Sequence, residues 1–212
     1  VVVGPCSIHD SVAALDYAIS LLTPDFLARF SVEAPRCQVV FRSIGREAGH
    51  EALKTGQLDL VIGLHEPNCP FLQRVTMRED FVVVARPGNP RLRRGFDLER
   101  YLDCDHLLVS AAGDARGTVD EALRRLGKTR RVVAVVPQFL IGFAAVAGSD
   151  LISTAPRRVA QRYAAAFGLK LHPVPFDLPG FEIATLRHQS TSTDSGLSWF
   201  EQRIAEHLAR AR

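Results

Sequence analysis

The sequence predicts an α/β protein with two lobes, and two features carry this prediction. Short apolar segments typical of strands alternate with helix-like segments along almost the whole chain. The run Arg86-Pro87-Gly88-Asn89-Pro90 then interrupts the alternation near the middle, which indicates a change of lobe. Alternating strands and helices favour parallel sheets with right-handed crossovers. A cleft between two such lobes is a natural site for a small molecule.

The first half of the chain begins with three valines that are typical of a short buried strand. Thr23, Pro24 and Asp25 combine an N-cap hydroxyl, a proline at the first helical position and an acid in the first turn. They predict a helix that starts at Thr23 and runs through LLTPDFLARF. The further elements predicted here are strands at 37–41, 58–63 and 81–85 and a helix over 45–54.

The second half repeats this pattern, and each of its first three predicted helices ends at a glycine, which is the usual C-cap. Its last helix carries an apolar stripe that includes Leu197, Phe200 and Ile204. The predicted strands are 106–110, 130–136, 150–154, 170–174 and 181–187, and the predicted helices are 118–126, 139–147, 156–167 and 195–209. The strand at 181–187 returns the chain to the first lobe, so the predicted division is lobe I at 16–84 plus 181–212 and lobe II at 85–180.

The composition is that of an ordinary globular protein: 212 residues, 47% hydrophobic, 23% charged and a net charge of +3. This charge gives no global signal for nucleic acid.

The four cysteines lie far apart, at Cys6, Cys37, Cys69 and Cys104, without zinc-ligand spacing, so we expect reduced thiols, no metal and no cofactor. No segment resembles a membrane span or a signal peptide, which predicts a cytoplasmic protein. The chain starts at Val1 without a methionine, and we expect it to be part of a longer protein.

From about Asp16 onward, a series of segments resembles the effector-binding domain of LysR-type transcriptional regulators. In order, they are DYAISLLTPDFLARFSVEAP, ALKTGQLDLVIG, REDFVVVARPGNP, HLLVSAAGDARGTVDEALRRLG, RRVVAVVPQFLIGFAAVAGSDLISTAPRRVA and WFEQRIAEHL. Each is modest alone, but the ordered series covers roughly nine tenths of the chain. The fourth and fifth segments most resemble the subgroup of nodulation regulators and regulators of aromatic degradation.

The resemblance implies a two-lobed fold of the type II periplasmic-binding-protein kind, with an effector in the cleft between the lobes. It also implies a homodimer or homotetramer that binds DNA through an N-terminal winged helix-turn-helix. We expect that DNA-binding domain to be absent here, because no basic helix pair precedes residue 16.

The first 22 residues resemble a different family. VVVGPCSIHDSVAALDYAISLL is similar to the segment around the Gly-Pro-Cys-Ser-Ile-His-Asp signature of DAHP synthase, whose signature cysteine is a metal ligand and corresponds to Cys6. That enzyme is a (β/α)₈ barrel with its other ligands on later strands, and nothing after Leu22 resembles them. We expect neither Cys6 nor His9 to act as a metal ligand or catalyst. Residues 1–15 are interpreted either as a junction with a foreign segment or as a LysR-type sequence that has drifted by chance.

The resemblance also indicates which residues line the effector cleft. They come from the first helix region, from the loops after two strands of lobe I, and from the helix start after a strand of lobe II. These candidates are Tyr17, Ser20, Ser43, Gly45, His65, Gln138 and Phe139. For each of them the alternative is ordinary packing or a solvated loop position.

The favoured recognition segment is Ser110 to Gly117, between a predicted strand and a predicted helix. Its backbone N–H groups would form an anion-binding loop beside the positive end of the helix. Arg116 would pair with a carboxylate through two hydrogen bonds. The alternative is a simple turn with Arg116 in solvent. Ser110, Arg116 and Gly117 complete the set of predicted binding residues.

The sequence therefore predicts a sensor rather than an enzyme. A small aromatic or organic acid would bind, shift the lobes toward closure and change the geometry of the oligomer. Two alternatives stay open from the sequence: a fragment or fusion of DAHP synthase, and a stand-alone solute-binding protein of the same fold.

Overall fold

A computed structural model describes residues 9–14, 16–93, 95–111, 113–114 and 116–210. Within these ranges the chain forms two compact units. Unit 1 comprises the described residues up to Arg78 together with those from Phe181 onward, and unit 2 runs from Glu79 to Gly180. Each unit contains a five-stranded sheet with helices, so the predicted α/β class with two sheets is confirmed.

Unit 1 is built on a sheet with the strand order β2-β1-β3-β10-β4. β1 pairs in parallel with β2 and β3, and β10 pairs antiparallel with β3. The elements are β1 (His9–Ala14), α1 (Asp16–Glu33), β2 (Gln38–Arg42), α2 (Arg46–Lys54), β3 (Leu60–Leu64), β4 (Leu72–Glu79), β10 (Phe181–Arg187), a 3₁₀ turn (Gln189–Thr191) and α7 (Ser195–Arg210). One cluster of its core packs α2 against β10 through Leu53, Phe71 and Leu186.

Unit 2 has the strand order β7-β6-β8-β5-β9. β6 pairs in parallel with β7 and β8, while β5 runs antiparallel to β8 and β9. Its elements are β5 (Phe81–Ala85), a 3₁₀ turn (Pro90–Leu92), α3 (Leu98–Asp103), β6 (Asp105–Val109), α4 (Thr118–Arg125), β7 (Arg131–Val136), α5 (Phe139–Ala147), β8 (Ile152–Pro156), α6 (Arg157–Tyr163) and β9 (Lys170–Pro173). Tyr101, Leu123 and Ile152 are completely buried in its core.

The predicted start of the first helix at Thr23 is wrong. α1 begins at Asp16, and the Thr23 hydroxyl donates to the Ile19 carbonyl one turn earlier, inside the helix. The helix continues through Pro24 because its apolar face is buried on both sides of that residue, from Tyr17 to Phe30. Tertiary packing outweighs the local Thr-Pro signal here.

The first strand of unit 1 is β1, at His9–Ala14. The predicted strand at Val1 to Val3 lies outside the described residues. Two further elements were not predicted. β4 contains three charged residues among its eight and lies at the edge of its sheet, where charged side chains are common. α3 has only six residues, with Asp97 as its N-cap, and is too short for a periodic pattern.

The predicted lobe boundary at residue 85 requires a correction. β5 was assigned to the first lobe, but Val82–Ala85 pair with both β8 and β9 in the sheet of unit 2. Hydrogen bonding to these two strands fixes β5 in unit 2, so the chain changes unit at Glu79.

Candidate functional site

The predicted residues of unit 1 gather mainly at one edge of its sheet. β1, β2 and β3 are parallel, so their carboxyl ends lie at the same edge. The chain leaves these ends toward Tyr17, Ser43 and His65 respectively. The carboxyl edge of a parallel α/β sheet is where such proteins bind ligands.

Tyr17 and Ser20 are both buried in α1. The Tyr17 hydroxyl lies 3.9 Å from Sδ of Met77, and its ring packs edge-on against Phe181 with 5.9 Å between the centroids. These contacts anchor the start of α1 in the core of unit 1.

The loop after β2 is exposed at Ser43 and Gly45. Gly45 is the N-cap of α2 in an extended conformation, and its carbonyl accepts from Gly49 N–H at 2.9 Å. His65 follows β3 and is tied to β10: its N–H donates to the Glu182 carbonyl at 2.8 Å, and Nδ1 lies 3.3 Å from Oε2 of Glu182.

Unit 1 contains a cavity of about 160 Å³ beside α2, β3 and β10. Its wall is largely apolar, but three charged or titratable side chains meet in it. Oε1 of Glu66 lies 3.3 Å from Nε of Arg46 and 3.4 Å from Nε2 of His50. The lining residues are Ile44, Gly45, Arg46, Gly49, His50, Val61, Ile62, Gly63, Leu64, Glu66 and Leu186.

The predicted residues of unit 2 also share one sheet edge. β6 and β7 are parallel, and their carboxyl ends lead into Ser110 and Gln138. Gln138 is exposed and is the N-cap of α5, while Phe139 is half-buried with its ring 6.4 Å from that of Phe143. Arg116 is exposed just before α4.

Several N–H groups of the favoured loop already have partners within the protein. Gly113 N–H donates to the Ser110 carbonyl at 3.2 Å, and Asp114 N–H donates to the Ser110 hydroxyl at 3.1 Å. Gly117 N–H donates to Oδ2 of Asp120 at 2.8 Å. The Arg116 side chain is therefore the stronger candidate donor for an incoming anion, and the backbone mainly shapes the turn.

Asp120 is itself held by a buried arginine. Nε and Nη2 of Arg130 donate to the two Asp120 oxygens, each at 2.8 Å, and the Arg130 side chain is only 1% exposed. Burial alone would raise the pKa of Asp120, but the hydrogen bonds and charge of Arg130 and the Gly117 N–H together lower it. Asp120 thus carries a negative charge at the positive end of α4.

A second buried group, His106, extends this polar cluster. Its Nε2 lies 2.8 Å from the Tyr101 carbonyl, so Nε2 carries the hydrogen, and Nδ1 has no hydrogen-bond partner among the described residues. Burial and the Arg130 charge lower the pKa of His106 to about 4, so the ring is neutral at pH 7. The Tyr101 hydroxyl hydrogen-bonds to Oγ1 of Thr154 at 2.8 Å.

The side chains of His50, Glu66 and Cys69 could together hold a metal ion. Their ligand atoms all lie within 4.8 Å of one another. No zinc-ligand spacing marks this group in the sequence, because His50 lies in α2 and the other two residues lie in the loop after β3. The pairing of Asp120 with Arg130 was not predicted for the same reason. Asp120 lies in α4 and Arg130 directly precedes β7, so no local sequence motif contains both residues.

Comparisons with known proteins identify the family. The family model described as the LysR substrate binding domain matches residues 11–209. The activator NagR of a Ralstonia species is 30% identical over 95% of this chain and 67% of its own length. Nodulation protein D 3 of Mesorhizobium japonicum is 28% identical over 92% of this chain and 65% of its own. The chain therefore spans about two thirds of the length of these relatives.

The fold is shared with solved regulatory domains. The regulatory domain of MexT, a transcriptional activator in Pseudomonas aeruginosa, matches 96% of this chain and all of its own chain, with 27% identity and a TM-score of 0.83. This match confirms the predicted fold of the type II periplasmic-binding-protein kind. Among the described residues, no helix has both the length and the apolar character needed to cross a membrane.

The resemblance of residues 1–22 to DAHP synthase finds no support in these comparisons. The family match starts at Ser11, inside that segment. His9–Ala14 form a parallel strand between β2 and β3, and the chain enters α1 at Asp16, so the described part of this segment serves as a strand and helix of unit 1. The relatives instead confirm the predicted subgroup of nodulation and aromatic-degradation regulators. This chain belongs to the LysR substrate-binding domain family.

Proposed function

We propose that this chain is the effector-sensing domain of a LysR-type transcriptional regulator, and that its effector is a small aromatic or organic acid. The observation that carries the proposal is that the parallel strands β6 and β7 end beside each other, so Ser110 and Gln138 follow them at the carboxyl edge of the unit 2 sheet. Phe139 is the next residue after Gln138, and Arg116 lies in the connection from β6 to α4. Arg116 offers an exposed cation for a carboxylate, and Phe139 offers a half-buried aromatic ring at the start of α5.

In this proposal each residue has a distinct task. Arg116 forms the charge-assisted hydrogen bonds to the carboxylate, Gln138 donates to a ring hydroxyl or carbonyl, and Phe139 contacts the ring. We also include Ser43, Gly45 and His65, at the carboxyl edge of the unit 1 sheet, among the proposed effector-binding residues. No bond is made or broken, so the domain acts by binding and not as an enzyme.

The signal would be a shift in the populations of two conformations, since a ligand can change an equilibrium only by binding one state more tightly than the other. We place the domain in a cytoplasmic homodimer or homotetramer of the full-length regulator. A helix-turn-helix domain of that regulator, as the designation of NagR as an HTH-type activator suggests, would contact the DNA.

The test is a thermal-shift screen of the purified 212-residue chain with aromatic carboxylic acids, each paired with its uncharged amide, followed by calorimetric titration of the best ligand. We expect stabilisation by an acid and not by its amide.

Arg116→Ala should weaken binding of that acid by about 10- to 100-fold, the range for a lost hydrogen bond to a charged group. Arg124→Ala, which removes an exposed arginine at the far end of α4, is the matched control and should leave the affinity unchanged. Equal binding of an acid by the wild type and Arg116→Ala, or no stabilisation by any acid, would overturn the assignment.

A further inference from the structure

The group His50, Glu66 and Cys69 in unit 1 combines three kinds of ligand atom in one place. It offers an imidazole nitrogen, a carboxylate oxygen and a thiol sulfur, all within 4.8 Å of one another. Nitrogen and sulfur donors favour borderline-soft ions such as Zn²⁺ over Mg²⁺ or Ca²⁺, which take oxygen ligands. The composition of the group therefore selects for a zinc-like ion.

The spacing of the group agrees with that chemistry. Nε2 of His50 and Oε1 of Glu66 are 3.4 Å apart. With zinc–ligand bonds of about 2.0–2.2 Å and tetrahedral angles, a nitrogen and an oxygen bound to the same ion are separated by about 3.4 Å. An ion between these two side chains needs little rearrangement of either.

The loop that carries two of the three side chains is held in shape. Cys69 N–H donates to the Glu66 carbonyl at 3.2 Å, which closes a turn, and Pro67 between them fixes one backbone angle. The Gln73 side chain binds the backbone of Glu66 twice, accepting from its N–H at 3.0 Å and donating to its carbonyl at 2.6 Å. Glu66 and Cys69 are thus presented together by a prearranged turn.

His50 is positioned by a different element. It lies in α2, and its ring packs against that of Phe71 with 5.1 Å between the centroids. The side chains of His50 and Glu66 are 20% and 22% exposed, and both line the cavity of unit 1. An ion can reach them from solvent, yet most of their surface is removed from water.

Arg46 is the competitor for this site. Its Nε lies 3.3 Å from the same Glu66 oxygen that faces His50, so an ion must displace this contact. The Arg46 side chain is 59% exposed, and exposed ion pairs contribute little energy. The guanidinium can move into water when a cation arrives.

We propose that His50, Glu66 and Cys69 form a binding site for Zn²⁺ or a similar divalent ion. Three protein ligands leave a fourth position for water or an anionic group. This inference does not rest on the proposed sensing of an acid.

The test is a calorimetric titration of the full 212-residue chain with Zn²⁺, together with a Co²⁺ titration that follows the thiolate-to-cobalt absorption band. We expect one ion per chain and a thiolate band in the wild type. Cys69→Ser should abolish the band and weaken Zn²⁺ binding by more than about tenfold, since even changes behind the ligands cost about 10- to 100-fold. Glu66→Gln should weaken binding in the same way, while Arg46→Ala should strengthen it by removing the competing cation.

Cys37→Ser is the matched control, because Cys37 is another half-buried cysteine without a disulfide and lies outside the group. It should keep both the stoichiometry and the band. A second readout does not depend on variants: Zn²⁺ should protect Cys69 of the wild type from alkylation, mapped by mass spectrometry, and leave Cys37 labelled. Absence of binding, a band that survives Cys69→Ser, or equal labelling of Cys69 with and without Zn²⁺ would each overturn the proposal.

Discussion

Arg130 and Asp120 form a buried ion pair with two hydrogen bonds, each 2.8 Å long, that joins the start of β7 to the first turn of α4. Oδ2 of Asp120 also accepts from Gly117 N–H, so one carboxylate fixes both the arginine and the residue that ends the loop Ser110 to Gly117. The shape of the favoured recognition loop therefore depends on a pair that does not itself need to touch an effector.

The first prediction concerns the geometry of this pair. Arg130→Lys keeps the positive charge but cannot donate two parallel hydrogen bonds to Asp120. We expect a loss of about 1–3 kcal/mol in the free energy of unfolding, measured by urea denaturation followed by circular dichroism. Arg124→Lys, at an exposed position of α4, should change the free energy of unfolding by less than about 0.5 kcal/mol. Equal stability of the two variants would mean that the two parallel hydrogen bonds of the pair add nothing to what the charge of residue 130 supplies.

The second prediction concerns the pH dependence of stability. The pKa of His106 is about 4 in the folded protein and about 6.5 in the unfolded chain. Between these two pH values the unfolded chain binds a proton at His106 that the folded chain does not bind. The contribution of neutral His106 to the free energy of unfolding is therefore fully present above pH 6.5 and is lost as the pH falls toward 4. The shift corresponds to about 3 kcal/mol.

His106→Gln tests this assignment, because the amide can still donate to the Tyr101 carbonyl but does not titrate. Thermal melting from pH 7.5 to 4 should show a smaller acid-induced decrease in this variant than in the wild type. Parallel decreases in the two proteins would show that other groups cause the acid sensitivity.

The third prediction concerns Gly180, at the point where the chain leaves unit 2. A Cβ atom there would lie 2.3 Å from the Glu79 carbonyl oxygen and 2.9 Å from Oδ1 of Asp80. Because a main-chain oxygen cannot rotate away, Gly180→Ala should cost about 1–3 kcal/mol. Gly148→Ala is the control, since its new Cβ would meet nothing closer than 3.8 Å. Urea denaturation of both variants checks the difference, and a Gly180→Ala protein as stable as the control would contradict it.

The sequence predicted elements well where the local signal and the packing agree. The helices 45–54, 118–126, 139–147 and 195–209 match α2, α4, α5 and α7 to within one residue at each end. The start of α1 was predicted wrongly because burial of a continuous apolar face extends this helix, and β4 was not predicted because it lies at a sheet edge. Both depend on contacts with residues distant in the chain.

The candidate site shows the same division. The positions of residues that follow strands, such as Ser43 and Gln138, could be predicted because parallel strands bring their carboxyl ends to one edge, whereas their contact with an effector stays a prediction. The contacts of Asp120 with Arg130 and of Glu66 with His50 could not be predicted, because the two residues of each pair come from separate elements. A pattern of neighbouring residues does not predict contacts between residues that are distant in the chain.

The last prediction concerns a second buried pair, in unit 1. Nε of Arg187 lies 3.0 Å from Oε2 of Glu201, and the other oxygen of Glu201 accepts from the Thr185 hydroxyl at 2.5 Å. Both charged side chains are about 10% exposed. Arg187 ends β10 and Glu201 lies in α7, so the pair ties this helix to the sheet.

Arg187→Met leaves the Glu201 carboxylate buried without its cation, and we expect a loss of about 3–5 kcal/mol. Adding Glu201→Leu should recover most of this loss, because the double variant buries no unpaired charge. Arg29→Met, which removes an exposed arginine 3.6 Å from Glu33, should cost less than about 1 kcal/mol. The measurement is urea denaturation of all four proteins. A double variant no more stable than Arg187→Met would show that the cost lies in lost packing around the arginine and not in the uncompensated charge of Glu201.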